Sequence, residues 1–156
     1  MPLSQTPRFL DLNVGSTSVS AALALTGPGL TRWLAGGTDA DLHAPLSDAE
    51  RETLSTKTVR KRRQEWLAGR IAAKALLLRH LGLELDRAGQ VEVLADEDRR
   101  PVAHGLAPDG SRTPIPLSVS ISHRGGAVGA ALATAGSVGL DIEVMEPRSE
   151  ALLADH

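Results

Sequence analysis

Leu117-Ser-Val-Ser-Ile-Ser122-His123-Arg-Gly-Gly126-Ala127-Val-Gly-Ala-Ala-Leu-Ala133-Thr-Ala-Gly-Ser-Val138-Gly-Leu-Asp141-Ile-Glu143-Val144 decides the fold of this chain. Residues 117–122 alternate apolar and polar. Residues 127–133 are small and apolar, and Val138, Leu140, Ile142 and Val144 alternate with Gly139, Asp141 and Glu143. A period of two marks a strand with one face against a core. Gly125-Gly126 and Ala135-Gly136 stand at the two breaks as turn signals. Three strands joined by short turns predict an antiparallel meander.

Upstream, the strongest helical stretch is residues 57–81, closed by Gly82 as a C-terminal cap. Ser47-Asp-Ala-Glu50 predicts a capping box opening a short helix before it. Residues 8–14 and 16–25 read as strands joined at Gly15, and residues 91–94 as another short strand. Gly27-Pro28-Gly29 reads as a turn and residues 36–45 as a loop. Residues 95–101 read as a charged turn, and residues 103–116, rich in Pro and Gly, as a loop. The sum is an α+β fold, an antiparallel sheet packed on one long helix.

The 156 residues suit one domain, or one and a half small lobes, and 42% hydrophobic content is enough for a core. Only Phe9, Trp33 and Trp66 are aromatic, so alanine, leucine and valine do the packing. A net charge of -2 with so few stacking rings argues against a general nucleic-acid binder. No cysteine is present, which excludes disulfides and thiolate metal sites and suits a cytoplasmic protein. No secretory signal stands out. The longest uncharged stretch, residues 12–31, is too polar and too broken by Gly and Pro to cross a bilayer.

Three groups of residues could carry chemistry. On a strand, Asp141 and Glu143 share a face at a spacing of about 7 Å. The pair fits a hard cation such as Mg2+, which takes a few carboxylate oxygens with water and phosphate. From spacing alone it more often marks an exposed edge strand that uses charge to discourage pairing. On the helix, Leu67, Ile71, Ala75 and Leu78 form one apolar face and Trp66 and Leu77 a second strip. Arg63, Arg70 and Lys74 lie between them, as an anion site or as a solvated flank whose stems cover apolar surface. His123 stands where a strand meets a glycine turn, as a phosphate donor or a structural histidine. Ser122 and His123 are neighbours on a strand and point to opposite faces, and no Gly-x-Ser-x-Gly elbow exists, so a hydrolase pair is disfavoured. His43, His80, His104 and His156 show no metal-ligand spacing.

Together these segments resemble the 4′-phosphopantetheinyl transferase superfamily in its larger, two-lobed type. Arg63-Gln-Glu-Trp66-Leu-Ala-Gly-Arg70-Ile-Ala-Ala-Lys74-Ala-Leu76 is similar to the first-lobe helix of that family. Ser120-Ile-Ser122-His123 is similar to its Ser-x-Ser-His strand, and Val138-Gly-Leu-Asp141-Ile-Glu143 to its metal strand. The order and spacing agree, over roughly residues 46–148. The resemblance implies transfer of the 4′-phosphopantetheine arm of coenzyme A to a serine of an acyl or peptidyl carrier protein. The serine hydroxyl attacks the pyrophosphate and adenosine 3′,5′-bisphosphate leaves. Asp141 and Glu143 are thereby assigned to Mg2+, and Arg63, Arg70, Lys74, Arg100, Ser122 and His123 to the coenzyme.

Two departures accompany it. Asp98-Arg-Arg100-Pro101 stands where the family has Gly-Arg/Lys-Pro. The family's Trp-x-x-Lys-Glu helix, which adds a third acid, has no counterpart in these 156 residues. The resemblance therefore implies a first lobe at residues 1–116 and the first strands of an incomplete second lobe at 117–156, with the catalytic residue unassigned. The alternative is a non-catalytic remnant that binds coenzyme A or a carrier protein. No nucleic-acid or membrane partner is expected.

Overall fold

A computed structural model describes residues 8–25 and 46–145. Gly27-Pro28-Gly29 and the loop read at residues 36–45 lie outside them. β1 (Arg8–Val14) and β2 (Thr17–Leu25) form the expected hairpin, turning at Gly15 with φ +62°. The capping box forms at α1 (Asp48–Ser55): the Glu50 N–H donates to Ser47 Oγ, and the Ser47 N–H donates to Glu50 Oε2. α2 (Arg60–Leu81) ends at Gly82, whose φ of 67° is the left-handed cap that glycine adopts without a Cβ clash. A 3₁₀ helix (Leu85–Gln90) leads into β3 (Val91–Ala95). β4 (Pro101–Leu106), β5 (Arg112–Pro114), β6 (Ser118–Arg124) and β7 (Ala127–Ala133) follow.

The strands form two antiparallel sheets, β1-β2-β7-β6 and β3-β4-β5. The first corrects the meander. β7 has β6 on one side and β2 on the other, with Ala21 opposite Ala131, so both its edges are taken. Residues 138–144 belong to neither sheet. The second corrects the loop read at 103–116, which contains most of β4 and all of β5. Composition hid them because Pro101 and Pro114 sit at strand ends, where a missing N–H is tolerated. The lobe boundary expected between residues 116 and 117 falls just before β6, and β6 and β7 complete the sheet that β1 and β2 begin.

α2 lies between the sheets, against β2, β6 and β7 on one side and β3 on the other. Residues Ala68–Leu78 are therefore buried all round, as expected for a helix with layers on two sides. Leu76, Leu77, Val93, Ala103, Val119, Ala130 and Leu132 form the main core. Small residues bring helix and sheet close. At Gly69, an added Cβ would stand 2.7 Å from Ile121 Cγ2 of β6. Among the described residues, no helix is long and apolar enough to cross a membrane.

Candidate functional site

The segment bearing Asp141 and Glu143 lies against the face of the first sheet turned away from α2. Three serines of β6 hold its backbone. Val138 N–H donates to Ser118 Oγ (3.0 Å), Leu140 N–H to Ser120 Oγ (3.1 Å) and Ile142 N–H to Ser122 Oγ (3.2 Å). Gly129 of β7 makes room for the apolar side chains: a Cβ there would meet Leu140 Cδ2 at 2.8 Å and Ile142 Cδ1 at 3.1 Å. Val138, Leu140 and Ile142 are half-buried, and Asp141, Glu143 and Val144 are exposed. Arg124 Nε approaches Glu143 Oε2 at 3.7 Å. Among the described residues, no group of three or more His, Cys, Asp or Glu side chains is arranged to hold a metal. Two exposed carboxylates do fit Mg2+, which takes one or two carboxylates and completes its shell with water and substrate phosphate.

His123 follows Ser122 on the strand and faces the helix side, where its Nδ1 stands 3.5 Å from Glu65 Oε2 of α2. Just over half of its side chain is exposed, so an incoming anion can reach it. At the end of β6, Ser122 thus holds the acidic segment on one face of the sheet and His123 turns toward α2 on the other. Ser122 serves there as an acceptor for the acidic segment, a role its sequence position did not reveal.

The three helix cations have separate fates. Arg63 Nη1 donates to the carbonyls of Leu54 and Lys57, at 3.1 and 3.2 Å, and ties α2 to the end of α1. Arg70 is 8% exposed and stacks on the Trp66 ring at 4.8 Å, and its buried Nε has no hydrogen-bond partner. Desolvation lowers its pKa, and the field of Glu50 opposes the drop. Lys74 has its partner inside the protein. The partly buried anion expected between the apolar strips exists, but for Lys74 it is the protein's own Glu50, whose Oε2 lies 2.5 Å from Nζ. Lys74 is 1% exposed. Burial lowers its pKa, with Glu50 pulling it back up.

Glu50 is the hub of a network that sequence reasoning missed. Its Oε1 accepts from the Val93 N–H, and its Oε2 from the Ser47 N–H and Lys74. Glu92, also buried, accepts from Ser47 Oγ and Arg112 Nε. Its capping-box position was the one available signal for Glu50. Glu92 gave none, because its partner Arg112 lay in a stretch read as loop.

Arg100 sits apart, in the turn between β3 and β4, exposed and 3.8 Å from Asp98. The missing glycine has a structural meaning here. Arg99 adopts φ +64°, a left-handed backbone that glycine adopts more freely.

Residues 49–133, more than half of the chain, match the 4′-phosphopantetheinyl transferase N-terminal domain. The chain belongs to this family. Its transferase-type fold is similar to a solved Chronobacterium ammoniagenes ACPS–CoA complex, at 26% identity and a TM-score of 0.55, over 76% of this chain and 96% of that one. The apo-ACPS structure from the same organism is similar in fold, at 20% identity and a TM-score of 0.54, over 75% of this chain and 96% of that one. No curated protein matches. The family match runs through β6 and β7 and stops short of Val138, so the serine strand lies within it and the acidic segment beyond it.

Proposed function

We propose that this chain carries the coenzyme-binding and cation-binding part of a 4′-phosphopantetheinyl transferase that modifies a serine of an acyl or peptidyl carrier protein. The observation that supports it most is the arrangement at the end of β6. A half-exposed His123 lies one residue from Ser122, and Ser122 holds the backbone between Asp141 and Glu143. The two groups thus attach to adjacent residues of one strand, His123 toward the helix side and the carboxylates on the other face. The family of residues 49–133 and the likeness to an ACPS–CoA complex add to it.

In this reading His123 and Arg70 bind the phosphates of coenzyme A. Arg70 is already desolvated, so a hydrogen bond to an anion there is stronger than in water. Arg63 and Arg100 are further candidates, each able to use the planar fork that suits phosphate. Asp141 and Glu143 hold Mg2+, and the ion would offset charge developing on the pyrophosphate. Glu65 orients His123 until the coenzyme replaces it as partner. The carrier serine attacks the pyrophosphate of coenzyme A, the phosphopantetheine arm moves to its oxygen, and adenosine 3′,5′-bisphosphate leaves. A cytoplasmic setting goes with this reading, supported by a cysteine-free chain.

The test incubates the chain with coenzyme A, Mg2+ and an apo-carrier protein, and weighs the carrier by mass spectrometry. A gain of one phosphopantetheine arm, lost in Asp141→Ala, supports the reading. An unmodified carrier together with coenzyme A binding that weakens in Arg70→Ala would replace it with a binding module. Neither modification nor binding would overturn both.

A further inference from the structure

We propose that Ser118, Ser120 and Ser122 are positioning residues, whose hydroxyls set residues 138–142 so that Asp141 and Glu143 present their carboxylates together to a divalent cation. The proposal rests on the metal reading of that pair. The three bonds join residues 118 and 138, 120 and 140, and 122 and 142, a constant offset of twenty. A constant offset means that the two stretches run in the same direction with the same rise, about 6.6 Å per two residues. The segment is therefore extended like a strand, although it joins no sheet. Its register is imposed by side chains.

Each even-numbered residue is held. The N–H groups of Val138, Leu140 and Ile142 are spent on the serines, and the side chains of Leu140 and Ile142 fill the space above Gly129. The odd-numbered side chains are left to solvent. Two carboxylates about 7 Å apart repel each other, and a free chain would relieve this by rotating. A clamped chain cannot, so the ordering entropy is spent before the cation arrives. Apolar packing over Gly129 fixes the depth of the segment. The hydroxyls add a register along β6, and that register decides where along the strand the two carboxylates stand.

The test pairs amide hydrogen exchange by NMR with Mn2+ affinity by EPR, on the wild-type chain and on Ser120→Ala, Ser120→Thr and Ser122→Ala. Slow exchange at Val138, Leu140 and Ile142 is expected in the wild type. Ser120→Ala should release Leu140 and weaken Mn2+ binding about two- to tenfold, the worth of one net hydrogen bond. Ser120→Thr, which keeps the hydroxyl, should restore both. Slow exchange along α2 in each variant reports that the fold is intact, and Ser122→Ala repeats the measurement should Ser120→Ala unfold. Unprotected wild-type amides would overturn the proposal, as would unchanged Mn2+ affinity once protection is lost. Wild-type Mn2+ binding no tighter than that of Asp141→Ala, with the amides still protected, would sink the metal reading and leave the serines as a structural clasp.

Discussion

Two pairs of carboxylates in this molecule have opposite circumstances. Glu50 and Glu92 lie under α2, 0% and 1% exposed, with each of their oxygens accepting a hydrogen bond. Asp141 and Glu143 lie on the far face of the first sheet, exposed, with Arg124 beside Glu143 at 3.7 Å as their charged neighbour. Burial decides the difference. A buried carboxylate must be fully paired or its desolvation goes uncompensated. An exposed one keeps lone pairs for a ligand at little cost to the fold. The same contrast runs along α2, where Lys74 is committed to Glu50 and Arg70, one turn earlier, keeps an unpartnered Nε.

The buried pair is where the largest loss of stability is expected. Glu50→Ala would strand Lys74 in the interior and uncap the Ser47 and Val93 amides, at about 3–5 kcal/mol in denaturant unfolding. A loss below about 1 kcal/mol would show that the network is not the scaffold described. Glu92→Gln should cost about 1–3 kcal/mol at neutral pH. Burial alone would raise the pKa of Glu92, but hydrogen bonds from Arg112 and Ser47 outweigh it and the net shift is downward. As pH falls below the ordinary value of 4.5, the unfolded chain takes up the proton first, so stability is lost on the acid side. Acid unfolding of Glu92→Gln should be correspondingly flatter.

Arg99→Gly should stabilise the chain by roughly 0.5–1 kcal/mol, because glycine accepts the left-handed backbone that arginine holds under strain. The smallest change in stability belongs to Asp141→Ala, within about 0.5 kcal/mol of wild type. Its Mn2+ binding should nonetheless be lost. A large destabilisation by that variant would erase the contrast between the two pairs.

The elements that sequence made legible are those with local chemistry. The capping box at Ser47, the left-handed cap at Gly82 and the serine alternation of β6 each depend on neighbours a few residues away. Residues joined across the fold were not legible. Lys74 meets a carboxylate twenty-four residues earlier, and no periodicity on the helix could tell an internal anion from a ligand. β4 and β5 were missed because pairing with β3, more than their own composition, makes them strands. The acidic segment was read with the right faces and the wrong partner. Its alternation is that of a strand, but nothing local says that hydroxyls would take the place of a neighbouring backbone.

The clasp between β6 and residues 138–142 makes the length of the connection at residues 134–137 matter more than its composition. Facing alternates with every residue, so removing one residue there would turn Asp141 and Glu143 toward Gly129 and send Leu140 and Ile142 into water. Substitutions at Ala135 and Ser137 should be absorbed more easily than at Gly136, which holds φ +69°, or at Thr134, whose hydroxyl accepts from the Ser18 N–H, while single-residue insertions and deletions should not be absorbed. In this part of the chain, inheritance is expected to tolerate changes of letter and to punish changes of count.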